Sequence, residues 1–544
     1  VESFDLVVVG CGTGMLAALT AAENGLSVLI VEKSSYFGGS TALSGGGVWI
    51  PGNSVLRQAG VADSEDRIRA YLRGVTAGES PESRWGTHVT HGPAAVEVLR
   101  RHTPLTFQWV AGYSDYFPEL PGGSATGRSI EPKPFDVRRL GEDRKRLRPP
   151  AFAAPFPMPV TGQAYKWLNL VARTPRGALT GARLAGLGVG GRAIGREYLA
   201  GGSALAAGLF AGVRAARIPV WFDAPIVDLV RDGDRVTGVV VRRDGLDITV
   251  AARRGVLLAA GGFDRNAALR HEYQSPQLDT AWCLGNPDNT GDVLPLARAA
   301  GADLALMDEA WWFPALPIPG ATPGPLLAER SLPGQIMVDR QGRRFMNEAV
   351  NYMSAGQEML KHDLSFWMVF DQRYRNRYLF GGALFPRQPL PRSWYDAGIA
   401  HRADSLGALA AAAGLPELVA TVRRFNEQAR NGRDDDFRRG DSAYDRYYGD
   451  PAVRPNPCLG PIGAGPFYAV QVVLGDLGTC GGIRADGSAR ALRADGSAIE
   501  GLYASGNAAA NAFGRAYPGA GATIGQGLSF GYAAARHAGR LDQD

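Results

Sequence analysis

The chain has 544 residues, 45% of them hydrophobic and 20% charged, and a net charge of +5; that length and balance exclude a disordered chain and allow two or more domains with sizeable cores. Its 72 glycines and 35 prolines fall in short clusters without a repeating period, which excludes a collagen-like or linker-like chain and points to tight turns and close backbone approaches. The four cysteines, Cys11, Cys283, Cys458 and Cys480, are far apart with no CxxC pair, so neither a disulfide framework nor a metal site is encoded, and a reducing, cytoplasmic compartment fits.

The sequence opens directly into VESFDLVVVG. It has no basic and apolar leader, and no apolar run approaches the ~18 residues of a spanning helix, so neither a signal peptide nor a transmembrane segment is expected. Phe4 to Val9 reads as a buried parallel strand, Gly10-Cys11-Gly12-Thr13-Gly14 as a turn, Met15 to Asn24 as a helix closed by Gly25, and Val28 to Val31 as the next strand. Glu32 follows at about the 20-residue spacing of a dinucleotide fingerprint. In that unit Gly10, Gly12 and Gly14 admit a pyrophosphate to the helix N-terminus, and Glu32 takes a ribose hydroxyl. The third glycine position of the fingerprint is Met15, with Gly14 one residue early. A second loop, FGGSTALSGGGVWIPGN at 37–53, then follows. NAD needs no such loop, whereas the longer FAD has a ribityl chain and flavin ring to be threaded past the backbone.

Residues 138–200 form an excursion: a basic run, the proline-rich PPAFAAPFPMP, then a basic apolar stretch. Lys166, Arg173, Arg176, Arg183, Arg192 and Arg196 stand against Glu197 alone, interleaved with Trp167, Leu179, Leu187, Val189 and Ile194. Two readings fit about 164–198: a surface helix or hairpin touching anionic lipid, or a solvated basic cover over the core. Nucleic acid is not expected, since no binding module accompanies the charge. Near the end, RADGSA occurs at 484–489 and again at 493–498, two Asp-Gly turns of a small meander. In RAYPGAGATIG, 515–525, a single phenol stands beside glycines ahead of an apolar helix over Gln526 to Ala538. Bare N–H groups in such a turn suit a cofactor phosphate or a developing oxyanion.

VLLAAGGFDRN (256–266), NTGD (289–292), RQGRRFMNE (340–348), GTCGGIRAD (478–486) and GLYASGNAA (501–509), with the loop at 37–53, resemble the flavoproteins related to fumarate reductase and succinate dehydrogenase. The resemblance implies an α/β fold: a Rossmann-like FAD-binding domain split in sequence, 1–310 and 478–544, with an inserted α+β catalytic domain at 311–477. It also implies non-covalent FAD, with Lys33, Gly39, Ser40, Thr41 and Ser44 continuing along the molecule from Glu32. Ala260 and Gly261 fall near the adenosine end. Asn507, Gly521, Ala522 and Ile524 fall near the flavin, with Gly478 and Thr479 against its ring.

Fumarate reductases hold a dianion with cations. Their His-Thr is replaced here by the Thr479-Cys480 stretch, and their late arginine by Tyr517, with Arg515 two residues early. The loop Tyr517-Pro-Gly-Ala-Gly521 is similar instead to the YxGxG loop of 3-ketosteroid Δ1-dehydrogenases. That resemblance implies that the Tyr517 hydroxyl and Gly521 N–H polarise a C3 carbonyl, that Tyr352 takes the C2 proton helped by Tyr116, and that the C1 hydride passes to flavin N5. Tyr113 is expected to line the pocket. A quinone is a plausible acceptor, which would give the basic segment a use at the inner face of the cell membrane. The rival readings are a 3-ketosteroid Δ4-dehydrogenase, an enoate reductase of the fumarate reductase type, and a flavin-loaded peripheral membrane binding module.

Overall fold

A computed structural model describes residues 2–150, 157–382 and 384–540; residues 151–156 of the proline-rich run lie outside the described residues. Strand Glu2–Val9 is central to the main sheet, parallel to Val28–Val31 on one side and to Leu246–Leu258 on the other. Val220–Trp221 and Ala498–Ala504 extend it in parallel, and Arg490–Leu492 adds an antiparallel edge. Alternation sorts the side chains. Leu6, Val8, Val28 and Ile30 share a core with residues of the helices Gly14–Glu23, Gly201–Ala215 and Ala522–Arg540. Val7, Val9, Leu29 and Val31 join the hairpin Ile226–Asp232 with Arg235–Arg243 and the helix Val293–Ala299. Burial on both faces is why these strands read as unbroken apolar runs.

The main sheet thus draws strands from both ends of the chain, and the residues between build a second, antiparallel one. Its order is Gly324–Pro325, Ala310–Leu316, Phe467–Thr479, Phe366–Asp371, Gln335–Val338, with Ala400–Ala403 also on the long strand Phe467–Thr479. Ile336, Val338 and Val369 pack with the helices Leu406–Ala413 and Leu418–Asn431. Trp312, Phe313, Phe366 and Phe370 instead join an aromatic core shared with Trp49, Tyr71, Tyr116 and Tyr517. The fold is α/β and Rossmann-like, interrupted by an α+β insert, as the sequence implies.

Two helices start earlier than their apolar periodicity. The first runs Gly14–Glu23 and the last Ala522–Arg540, because backbone N–H groups beside glycine already bond back to Gly12, Gly519 and Gly521 carbonyls. The excursion is closed at its base by pairing of Phe135–Asp136 with Tyr198–Leu199. Within it Gly162–Leu168 and Pro175–Ala193 are helices. The glycines do not break the second one, since several mark close contacts: a Cβ at Gly188 would fall 1.8 Å from the Pro157 carbonyl oxygen. Thr174 caps it by accepting from Gly177 N–H, with Pro175 behind.

Candidate active site

A cleft crosses the carboxyl ends of the central parallel strands, the usual ligand position in such sheets. Gly10 has φ +111°, and a Cβ there would fall 2.2 Å from the Ala259 carbonyl oxygen, so only glycine brings the first strand this close to its neighbour. Glu32 is half-buried; its carboxylate accepts from Cys11 N–H at 2.9 Å and Ser34 N–H at 2.9 Å. Desolvation raises its pKa above the ordinary carboxylate value despite those bonds. These contacts fix the glycine turn and leave the turn's remaining backbone donors facing the cleft.

Of the residues expected along FAD, Gly10, Gly12, Glu32, Lys33, Gly39, Ser40, Thr41, Ala260, Gly261, Asn507 and Ile524 line the cleft; the described lining does not include Gly14, Ser44, Gly478, Thr479, Gly521 or Ala522. Gly14 is tied to packing instead, since a Cβ there would meet Val8 at 2.9 Å and Ala259 at 3.1 Å. The tight helix-to-strand contact therefore falls one position before Met15. Lys33 pairs with Asp292 at 2.6 Å. Ser40 Oγ accepts from Asn289 Nδ2 at 2.9 Å. Asn286, Asp288, Asn289, Asp292 and Thr523 also line the cleft. The NTGD motif signalled this loop, but nothing local told which of its side chains would face inward. A glycine turn, a half-buried ribose-type acid and a cleft extending from residue 10 to residue 524 fit FAD along its length.

The cleft borders a cluster of phenols. Trp311 donates its indole N–H to Asn507 Oδ1 at 3.1 Å, and its ring lies 4.8 Å from that of Tyr517. Ring centroids separate Tyr116 from Tyr517 by 5.0 Å, Tyr116 from Tyr352 by 5.3 Å, and Tyr352 from Tyr517 by 5.5 Å. Three distant segments thus bring their tyrosines together. Tyr352 opens the helix Tyr352–Met359, which Asn351 caps by accepting from Ser354 N–H. Tyr116 is held by its own N–H, which donates to Pro518 O at 3.1 Å in the Tyr517 loop. Gly521 N–H points at the Tyr517 hydroxyl oxygen, 3.3 Å away. Gly521 has φ +93°, and a Cβ there would fall 2.2 Å from the Gly47 backbone.

Burial drives the phenols of Tyr116 and Tyr352 well above the ordinary tyrosine range, and neighbouring phenols add to the shift. Both are neutral in the resting protein. The Tyr116 hydroxyl is buried without a hydrogen-bond partner among the described residues, a costly arrangement that marks functional groups. Tyr113 lies 6.3 Å from Tyr116. Sequence reasoning missed Tyr444, 4.9 Å from Tyr116, and Phe313, 4.6 Å from Tyr352. It also missed Asp115, which accepts from the Trp49 indole at 2.8 Å and pairs with buried Arg128. None of these sits in a motif that carries its role locally. Arg515 pairs with Asp308 at 2.8 and 3.0 Å, so its guanidinium is engaged outside the phenol cluster.

Cleft and phenols together place the molecule among flavoprotein oxidoreductases. A family profile for the FAD binding domain matches residues 5–524. The 3-oxosteroid 1-dehydrogenase of Mycolicibacterium smegmatis is 46% identical over 98% of this chain and 97% of its own. That of Mycobacterium tuberculosis is 47% identical over 99% and 98%. The structure of 3-ketosteroid Δ1-dehydrogenase from Sterolibacterium denitrificans, in complex with 1,4-androstadiene-3,17-dione, superposes with a TM-score of 0.94, at 38% identity, over 99% of this chain and 100% of that one. The chain belongs to the 3-ketosteroid Δ1-dehydrogenase family of FAD-binding flavoproteins.

Proposed function

We propose that the protein is an FAD-dependent 3-oxosteroid 1-dehydrogenase, introducing a double bond between C1 and C2 of a 3-ketosteroid. The observation that carries this reading is the Gly521 N–H directed at the Tyr517 hydroxyl, with Tyr352 and Tyr116 beside it. A steroid ketone oxygen entering that point takes one hydrogen bond from each donor, and the charge developing on it as an enolate forms is stabilised there. Polarising the ketone acidifies the C2 hydrogen. Tyr352, once its own proton has passed to solvent, takes that proton as a phenolate and becomes a phenol, and Tyr116, whose hydroxyl is otherwise unpartnered, donates to the phenolate oxygen before the transfer. Tyr113 lines the pocket behind Tyr116. When bound, FAD supplies the two-electron acceptor for the hydride leaving C1. The residues from Gly10 to Thr41, with Ala260, Gly261, Asn507 and Ile524, hold it in the cleft, and we take the catalytic part to span 311–477.

We infer that the excursion touches a membrane, from which a quinone would accept the electrons that bound FAD would take up. The support is the helix Pro175–Ala193 and its C-cap: Leu179 and Ile194 are each 70% exposed and Val189 55%, with Arg183 and Arg192 exposed among them. Apolar side chains at that exposure beside cations suit an anionic lipid surface. No helix among the described residues is long and apolar enough to cross a membrane.

The test is anaerobic bleaching of the flavin on mixing with 4-androstene-3,17-dione, beside succinate and a 5α-saturated 3-ketosteroid. Fast bleaching by the first, slowed by ~10²–10⁴ in Tyr352→Phe, is the expected result. Bleaching by succinate, or by the 5α-steroid alone, would move the protein to a reductase or a Δ4-dehydrogenase.

A further inference from the structure

One hydrogen bond behind the cleft wall lies a buried polar chain that the steroid chemistry does not use. Asn289, a lining residue, donates from Nδ2 to Asp264 Oδ1 at 3.0 Å. Asp264 Oδ2 is 3.3 Å from the sulfur of Cys283, and the same sulfur is 3.1 Å from Asp476 Oδ1. Asp476 then meets Arg270 at 2.7 Å and accepts from Gly478 N–H at 2.8 Å. Asp264, Cys283, Asp476 and Arg270 are all at most 2% exposed. The chain ties the Gly261-Gly262 turn, whose Gly261 lines the cleft, to the end of the long strand Phe467–Thr479, since Asp264 follows that turn and Asp476 precedes Gly478-Thr479. The two turns touch: a Cβ at Gly262 would fall 2.1 Å from Thr479 Oγ1.

Two carboxylates and a thiol this close have the spacing of a metal site, but the Arg270 guanidinium already supplies the cation, and Gly285 N–H donates to the sulfur at 3.1 Å. The proton inventory is more informative. A thiol has one proton and two carboxyl oxygens face it. Asp476, charged and paired with Arg270, is the better acceptor for S–H. The Asp264 oxygen would then confront a sulfur lone pair unless it carries a proton itself.

We propose that Asp264 stands as a neutral carboxylic acid donating to Cys283, and that the chain Arg270–Asp476–Cys283–Asp264–Asn289 positions the Gly261-Gly262 turn and Asn289 at the wall of the cofactor cleft. Burial, with Asp476 nearby, pushes the Asp264 carboxyl up to about 6, so the neutral acid is the form present below that pH, where the variants are compared. Arg270 and Cys283 oppose that shift in part, and Arg265, whose guanidinium bonds the Cys283 and Gly285 carbonyls, is the other cation facing the cluster. Without the proton, two adjacent buried carboxylates would repel across the thiol.

The proposal rests on FAD binding and not on the steroid, so it is tested on the purified holoenzyme by flavin midpoint potential and FAD dissociation constant. Asp264→Asn copies a neutral acid in shape and donor, and is expected to leave the midpoint potential unchanged. An upward shift would mean that a negative charge had been removed, and Asp264 would then be ionised. Cys283→Ala strips the proton between the carboxyl groups and should weaken FAD binding on the order of tenfold, with Cys283→Ser restoring it. FAD held equally well by all three proteins would overturn the positioning role. Should Cys283→Ala fail to fold, the Asp264→Asn potential and the Cys283→Ser dissociation constant still decide.

Discussion

At the scale of single residues, the active site joins groups whose resting state opposes their task. As the proposed base, Tyr352 must be unprotonated to take a proton, yet burial holds its phenol well above the ordinary value. The rate of flavin reduction by a 3-ketosteroid should therefore climb with pH across about pH 6 to 10 without levelling off, because the free phenol at that site titrates above ~10. Stopped-flow absorbance in Tyr352→Phe should show no such climb, and a plateau near neutrality in the native protein would mean a different base. The unpartnered Tyr116 hydroxyl gives a second expectation. Tyr116→Phe removes an unsatisfied buried group, so its melting temperature should equal or exceed the native one while flavin reduction slows by ~10²-fold or more. A fall in stability would show that the hydroxyl holds the fold. The tyrosines at 116, 352 and 517 were legible because each sits in a motif, whereas Tyr444 and Phe313 reach the cluster only by tertiary contact.

At the scale of elements, the sequence spoke most clearly where one strand or turn carries its own signal. The strand Val28–Val31 and the glycine turn before the first helix are examples. It spoke less clearly where glycine has two meanings. In Pro175–Ala193 glycine, a weak helix former, takes several close-packing positions, a role that exists only once Pro157, Leu170 and Tyr198 are folded against them. The same helix leaves Leu179, Val189 and Ile194 bare. If its partner is anionic lipid, replacing all three by aspartate should abolish co-sedimentation with phosphatidylglycerol vesicles, because each change removes apolar contact and adds a repelled charge. Turnover with a soluble dye acceptor should not change, since none of the three touches the phenols or the cleft. Equal sedimentation of both proteins would reduce the segment to a solvated cover.

At the scale of the whole molecule, the cofactor cleft stitches together parts of the chain that are far apart in sequence. Its wall draws on residues from 9–13, 31–33, 39–41, 224–226, 259–261, 286–293, 506–507 and 523–524, so binding energy from one ligand is distributed over both ends of the chain. The second sheet, by contrast, has its own core of Ile336, Val338, Val369 and Leu418 and contributes no residue to that wall among those described. Removing FAD should therefore loosen the molecule unevenly. Ligand at ~100 times its dissociation constant stabilises the native state by about 2.7 kcal/mol, and this gain belongs to the segments that line the cleft. Amide hydrogen exchange of the FAD-free protein should show faster exchange at 10–14, 286–293 and 506–524, reversed on adding FAD, while the strands Gln335–Val338 and Phe366–Asp371 keep their protection. Loss of protection in those strands to the same degree would mean that the two sheets unfold as one unit, and that the aromatic core they share, with Trp312, Tyr352 and Tyr517 in it, couples them more tightly than the division of the cleft implies.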